Sequence, residues 1–197
     1  MLARLLKFKY DGDEHEFSDA DRSAVLILDN RVYSAKVLRV NYTTYDVRRD
    51  QDSINPRTRS DIMVYSPETG PDAHPYWYAR ALGIFHARVL HVGAKSVNHS
   101  PQDMEFLWVR WFGQVPGHQF SMKAARLPKI GFVPEQDDLA FGFLDPSLVV
   151  RGCHLIPSFS EEQSNELLSA TLTAARFPGD TMDWRAYYVN MYVVFTH

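Results

Sequence analysis

From residue 24 onward the chain is a succession of short apolar runs broken by turn residues. Val25-Leu26-Ile27-Leu28 reads as a buried strand, and Asp29-Asn30 as the turn that ends it. Residues 32–40 (VYSAKVLRV) have strand composition and would complete a hairpin with it. Ile62-Met63-Val64-Tyr65 is the next strand candidate. Residues 77–92 (WYARALGIFHARVLHV) are aromatic and β-branched. In residues 105–112, Phe106, Trp108 and Arg110 fall on one side of an extended chain, and Leu107, Val109 and Trp111 on the other. These two segments are predicted to be antiparallel neighbours joined by the polar loop 93–103. Residues 130–133, 141–144 and 148–156 are shorter strand segments, punctuated by Gly131, Pro134, Gly142, Pro146 and Pro157. Residues 187–195 (YYVNMYVVF) read as a closing strand.

Helical spacing stands out once. Ser160 and Gln163 fit a capping box, Glu161 and Glu162 favour a first turn, and Leu167, Leu168, Leu172 and Ala175 recur at helical intervals. Pro178-Gly179 would stop it, so a helix is predicted at about 160–176. Residues 41–59 are polar and read as a long loop or arm, with the densest basic content of the chain: Arg48, Arg49, Arg57 and Arg59. Residues 66–75 (SPETGPDAHP) must be a connection. Many short strands and one helix in the C-terminal half predict a mainly β fold, a partly open barrel with an N-terminal β extension. The expected organisation is a polar acidic lead-in over 1–23, then one β domain over 24–197. Within it, 24–66 would supply the N-terminal strands and arginine-rich loop, and 76–197 the barrel core.

Composition narrows the classes. The 197 residues are 45% hydrophobic and 13% aromatic, enough for a core. Twenty-one Lys and Arg against 24 Asp and Glu give a net charge of −3, which argues against a strongly basic nucleic-acid-binding domain but permits a local patch. The longest apolar runs fall well short of the roughly 20 residues a membrane helix needs. Met1 to Leu6 is interrupted by Arg4 and followed by Lys7, Lys9 and an acidic run, so no signal peptide is expected and the chain reads as a soluble intracellular protein. The single Cys153 leaves no intrachain disulfide and no cysteine-rich zinc site.

Catalysis needs converging polar groups, and the sequence offers few. It has no GxSxG elbow, no phosphate-cradling glycine loop and no HExxH. His86 and His91, five apart on a predicted strand, would point to opposite faces and not share a metal. Cys153 lies in an apolar run, where cysteine is usually a small buried hydrophobe. Asp50, Asp52 and Asp61, near several arginines, are the carboxylates a metal-dependent nuclease would use. No enzyme, metal or cofactor is expected. What remains is aromatic density: exposed members of such a set can cage a methylated ammonium or stack on bases.

Three phrases give this pattern a family likeness. Tyr78-Ala79-Arg80-Ala81-Leu82-Gly83-Ile84, Trp108-Val109-Arg110-Trp111-Phe112 and Val149-Val150-Arg151-Gly152-Cys153-His154-Leu155 occur in the order and spacing of a BAH (bromo-adjacent homology) domain. From Trp77 to about Phe159, and at the aromatic stretch from Trp184 to Tyr192, the chain resembles that family. The resemblance implies a β-rich, non-enzymatic module that binds nucleosomes, modified histone tails or chromatin proteins. It implies a methyl-lysine cage built from Trp77 or Tyr78 with Trp111. The family often has Tyr two residues after that Trp, whereas this chain has Gly113.

A second likeness runs from about Leu38 to Val193. The phrases VNYTTYDVRRDQDSINPRTRSDIMV, HPYWYARALGIFHARV, FLWVRWFG, GFLDPSLVVRGCHLIPSF and DWRAYYVNMYV resemble the C-terminal region of proteins encoded by basidiomycete DNA transposons of the Plavaka type. That implies a fungal nuclear protein linked to a mobile element. The leading expectation is therefore a chromatin or protein-interaction module with a histone tail, nucleosome or chromatin protein as partner and no membrane. The alternative is a DNA-binding accessory region using Arg48, Arg49, Arg57 and Arg59, which salt would weaken steeply.

Overall fold

The computed structural model describes residues 18–43, 49–70, 73–93, 96, 98–118, 120, 126–170, 173–177 and 179–190. Strands hold 51% of them and helices 7%, so the fold is mainly β. Among the described residues, no helix is long and apolar enough to cross a membrane. The chain divides into two compact units: Met1–Ala35 with Phe85–Phe106, and Lys36–Ile84 with Leu107–His197.

The first unit begins with a short helix, α1 (Asp19–Ser23). Its capping box is reciprocal: the Asp21 N–H donates to Ser18 Oγ at 3.2 Å, and the Ser18 N–H donates to the Asp21 carboxylate at 3.2 Å. Strands β1 (Val25–Ile27) and β2 (Tyr33–Ala35) follow, separated by Asp29 and Asn30 in the left-handed region. The expected hairpin between them does not form; each pairs instead with β6 (Tyr76–His91). Val25 sits opposite His91 and Ile27 opposite Val89. Ala87, Val89 and Met104 make the small core of this unit, with Val25 and Phe106 against it.

In the second unit, β3 (Leu38–Thr43) and β4 (Arg49–Ile54) form an antiparallel hairpin. This replaces the long loop expected over 41–59. Leu38 and Val40 point inward from β3 and Ile54 is 1% exposed, so the hairpin covers the core. The strands β5 (Asp61–Tyr65), β6, β7 (Gln102–Gln114), β8 (Lys129–Phe132), β9 (Phe141–Leu144), β10 (Val149–Gly152), β11 (His154–Pro157) and β14 (Tyr187–Asn190) belong to one sheet. Its path runs β10-β5-β6-β7-β8-β14-β11, with β9 on β7 and the first unit's β1 and β2 on β6. This ten-stranded sheet does not close on itself. Its two ends, β10 and β11, are successive parts of one segment broken at Cys153.

Strict alternation sorts the side chains of this sheet. Ile62, Val64, Ala79, Ala81, Leu107 and Val109 pack on one face with the hairpin. Tyr78, Phe112, Ile130, Phe132, Tyr187 and Val189 form a second cluster on the other. The sides predicted for residues 107–111 are those seen.

Among the described residues of 160–176 the expected helix is absent. Gln163–Ser164 (β12) pairs with Asp183–Trp184 (β13), and Ser160 Oγ lies 3.5 Å from Ser158 Oγ without capping anything. The carbonyls a helix would use are taken elsewhere. Leu167 accepts from the Glu135 N–H at 3.0 Å, and Leu168 and Ser169 accept from the Arg176 guanidinium at 2.6 and 2.7 Å. Tertiary partners override local propensity here. Leu172 and Pro178 lie outside the described residues, as do Asp11, Asp13, Glu14 and Glu16 of the acidic lead-in and 191–195 of the closing strand.

Candidate functional site

Alternation along β6 and β7 brings two indoles to one place. Trp77 lies at the rim of the first cluster, 37% exposed, and Trp111 packs half-buried against that cluster. Their ring centroids are 6.0 Å apart with planes at 78°, an edge-to-face pair. Gly142 on β9 makes room, since a Cβ there would stand 3.0 Å from Trp111 Nε1. Trp77 Nε1 donates to Glu68 Oε1 at 3.2 Å. Glu68 sits in the connection 66–75, which is closed by the Ser66 N–H donating to the Pro75 carbonyl at 3.0 Å. The Glu68 N–H donates to Ser66 Oγ at 3.1 Å, which fixes the start of the loop. Two electron-rich rings with a carboxylate at their rim suit a cation, an alkylated ammonium above all.

Tyr78, the other cage candidate, is not part of this pair. It is 3% exposed and belongs to the second cluster, on the opposite face of β6. Burial pushes its phenol up, and the neighbouring Cys153 and Tyr76 add to that.

Behind Tyr78 lies a set of buried charges that sequence reasoning missed. Asp61 and Arg80 face each other across β5 and β6, with contacts of 2.7 and 3.1 Å. The Arg80 guanidinium lies 5.0 Å from the ring centres of both Phe132 and Phe177. Burial works against its charge, and Asp61 more than restores it. Arg110 is 0% exposed, 3.7 Å over the Phe132 ring, and donates to Asp183 at 3.1 Å. Arg176 donates to the same carboxylate at 3.0 Å. Burial lowers the Arg110 pKa, Asp183 opposes that, and Arg176 and Arg80 add to the lowering. Three guanidinium groups thus share two carboxylates, with aromatic faces supplying further negative potential. An arginine among strand aromatics was the only sign of this in the sequence.

The basic residues of the alternative reading are split by the hairpin. Arg49 opens β4, while Arg57 and Arg59 lie in the turn beyond its other end. Six extended residues separate the two sites by about 17 Å. All three are exposed, and Arg48 lies outside the described residues. The nuclease carboxylates are engaged separately from one another. Asp50 accepts from Tyr42 Oη at 3.0 Å, Asp52 accepts from the Gly152 N–H at 3.0 Å and lies 3.4 Å from Arg151 Nε, and Asp61 holds Arg80. Among the described residues, no group of three or more His, Cys, Asp or Glu is placed to hold a metal ion. Cys153 packs against the second cluster, and burial pushes its thiol well up, with Asp61 adding to it. A protonated thiol is a poor nucleophile. His86 is exposed and stacks on Tyr33, whereas His91 is buried, so the two do not converge.

The chain matches no protein-family model, no curated protein and no solved structure.

Proposed function

We propose that the chain is a non-enzymatic, BAH-like interaction module that takes a cationic peptide on the Trp77–Trp111 pair. A histone tail, free or on a nucleosome, is the partner this reading names. The observation that carries it is the edge-to-face indole pair with the Glu68 carboxylate at its rim. With Gly113 where the family pattern has tyrosine, the site has two aromatic walls and one acidic one. On this reading the resemblance of its long phrases to fungal transposon-encoded proteins suggests a nuclear setting next to a mobile element.

The test is binding of the purified chain to a modified histone-peptide array, to mononucleosomes and to free DNA, at low and physiological salt. Peptide or nucleosome binding should survive salt. Trp77→Ala or Trp111→Ala should weaken it about 2- to 30-fold, the range of one cation–π contact, while thermal unfolding shows the fold intact. Binding to any DNA that fades with salt and drops on joint Arg57→Ala and Arg59→Ala substitution would move the assignment to the arginines. No binding in any format would overturn both readings.

A further inference from the structure

The Tyr78 face of the sheet holds a second site that the indole reading leaves unused. A cleft of about 440 Å³ is lined by His118, Arg126, Leu127 and Tyr188. His118 also lines a small enclosed space of about 10 Å³, with His74, Tyr78, Gln114 and Lys129 among its neighbours. That is room for one water-sized group.

Two residues of this inner space are buried and incompletely satisfied. Nε2 of His74, which is 6% exposed, and the hydroxyl of Tyr78 have no protein partner. Leaving such atoms unpaired is costly, so the space calls for a hydrogen-bonding occupant. Nδ1 of His74 faces both the Tyr76 carbonyl, at 2.8 Å, and the Tyr76 N–H, at 3.1 Å; donation to the closer carbonyl leaves Nε2 as an acceptor. The Tyr78 hydroxyl is a donor, so a water satisfies both atoms.

The surroundings set the charge of a ligand that holds this water. Among the described residues, two imidazoles, one guanidinium and one ammonium line the two cavities, and no carboxylate does. Lys129 is already paired with Glu161 and lies 5.5 Å over the Tyr188 ring. Arg126 is exposed and has no ion-pair partner among the described residues. The His118 ring is held in place, Nε2 donating to the Leu127 carbonyl at 2.9 Å and the ring edge-on to Tyr188 at 6.0 Å.

We propose that this cleft binds an oxyanion, a phosphate or carboxylate group. Arg126 takes its charge at the mouth, the His118 and Tyr188 rings form the walls, and a water that the ligand holds sits between His74 and Tyr78. The site is independent of the indole pair.

The test uses the full chain and two probes, inorganic phosphate and acetate, each titrated at constant ionic strength against sodium chloride. Histidine ring resonances are followed by NMR. The expected result is a saturable shift at His118 and His74 with at least one probe, and none at the exposed His86 and His154. Arg126→Ala, an exposed substitution that leaves the unfolding temperature unchanged, should weaken that binding about tenfold, as loss of one charged hydrogen bond does. The stronger probe identifies the ligand as phosphate or carboxylate. Equal shifts at all four histidines, an unchanged titration in the Arg126→Ala chain, or no saturable shift with either probe would overturn the proposal.

Discussion

At Asp183 one carboxylate accepts from Arg110 and Arg176, at 3.1 and 3.0 Å, and all three side chains are almost fully buried. Removing the carboxylate strands two cations in the interior, and breaking a buried pair in this way costs about 3–5 kcal/mol. Asp183→Ala is therefore expected to lower the unfolding free energy in urea by at least that much. A loss below about 1 kcal/mol would mean that water already reaches the cluster. Trp77→Ala, at a half-open rim, serves as the contrasting substitution for stability. Legibility at this scale was uneven. Alternation placed Trp111 and Arg110 on the correct sides of β7. It did not reveal that Arg110 is buried, because its partner stands 73 positions later and leaves no local pattern. Glu68 was hidden likewise: nothing in the Pro- and Gly-rich connection marks it as the acceptor of an indole N–H.

Strands built from β-branched and aromatic residues were readable in the sequence, and the two misread elements show why the others were not. The β3–β4 hairpin looked like a loop because β4 (RDQDSI) is polar and only Ile54 reaches the core. Its polar side chains pair across the two strands instead, Gln51 Nε2 donating to Asn41 Oδ1 at 2.7 Å and Tyr42 Oη to Asp50 at 3.0 Å. Segment 160–176 has the spacing of a helix, yet its carbonyls bond to the Glu135 N–H, far upstream, and to the Arg176 guanidinium, whose other partner is Asp183, contacts that helical spacing does not show. At this scale the indole site depends on the bare backbone of β9. Gly142→Ala would put a methyl 3.0 Å from Trp111 Nε1 and turn the ring. Peptide affinity should fall with little change in unfolding temperature. Unchanged affinity on the same peptide array would show that the position of Trp111 is not part of recognition.

Three groups in the second cluster give the whole molecule a sensitivity to alkali. Burial, first among its causes, pushes up the Cys153 thiol and the Tyr78 and Tyr187 phenols. Each holds its proton more tightly folded than unfolded. Their contribution to stability is therefore complete below the pH at which the unfolded groups ionise, about 8.5 for the thiol and about 10 for the phenols, and is lost as pH rises further. The urea midpoint should be flat up to about pH 8 and fall above about 8.5, and Cys153→Ala should remove the first part of that fall. A midpoint constant to pH 11 would contradict the burial of all three. The mainly β character was legible throughout. The sheet path was not, since pairing partners such as Val64 and Val149 have no signature in common.

That path has a consequence in time. A chain leaves the ribosome from its N-terminus, at about 5–20 residues per second. β6 follows β5 closely, but Val149, which pairs with Val64 on the other edge of β5, comes about 85 residues later. The outer edge of β5 therefore waits about 4–17 seconds for its partner at that rate. The edge of β8 likewise waits for Tyr187 and Tyr188. Until then both are unpaired strand edges, the kind of surface through which nascent chains join one another. The segment 149–157 ends the exposure of β5, which its first half covers, while β8 stays open until β14 arrives and pairs with it and with the second half of that segment.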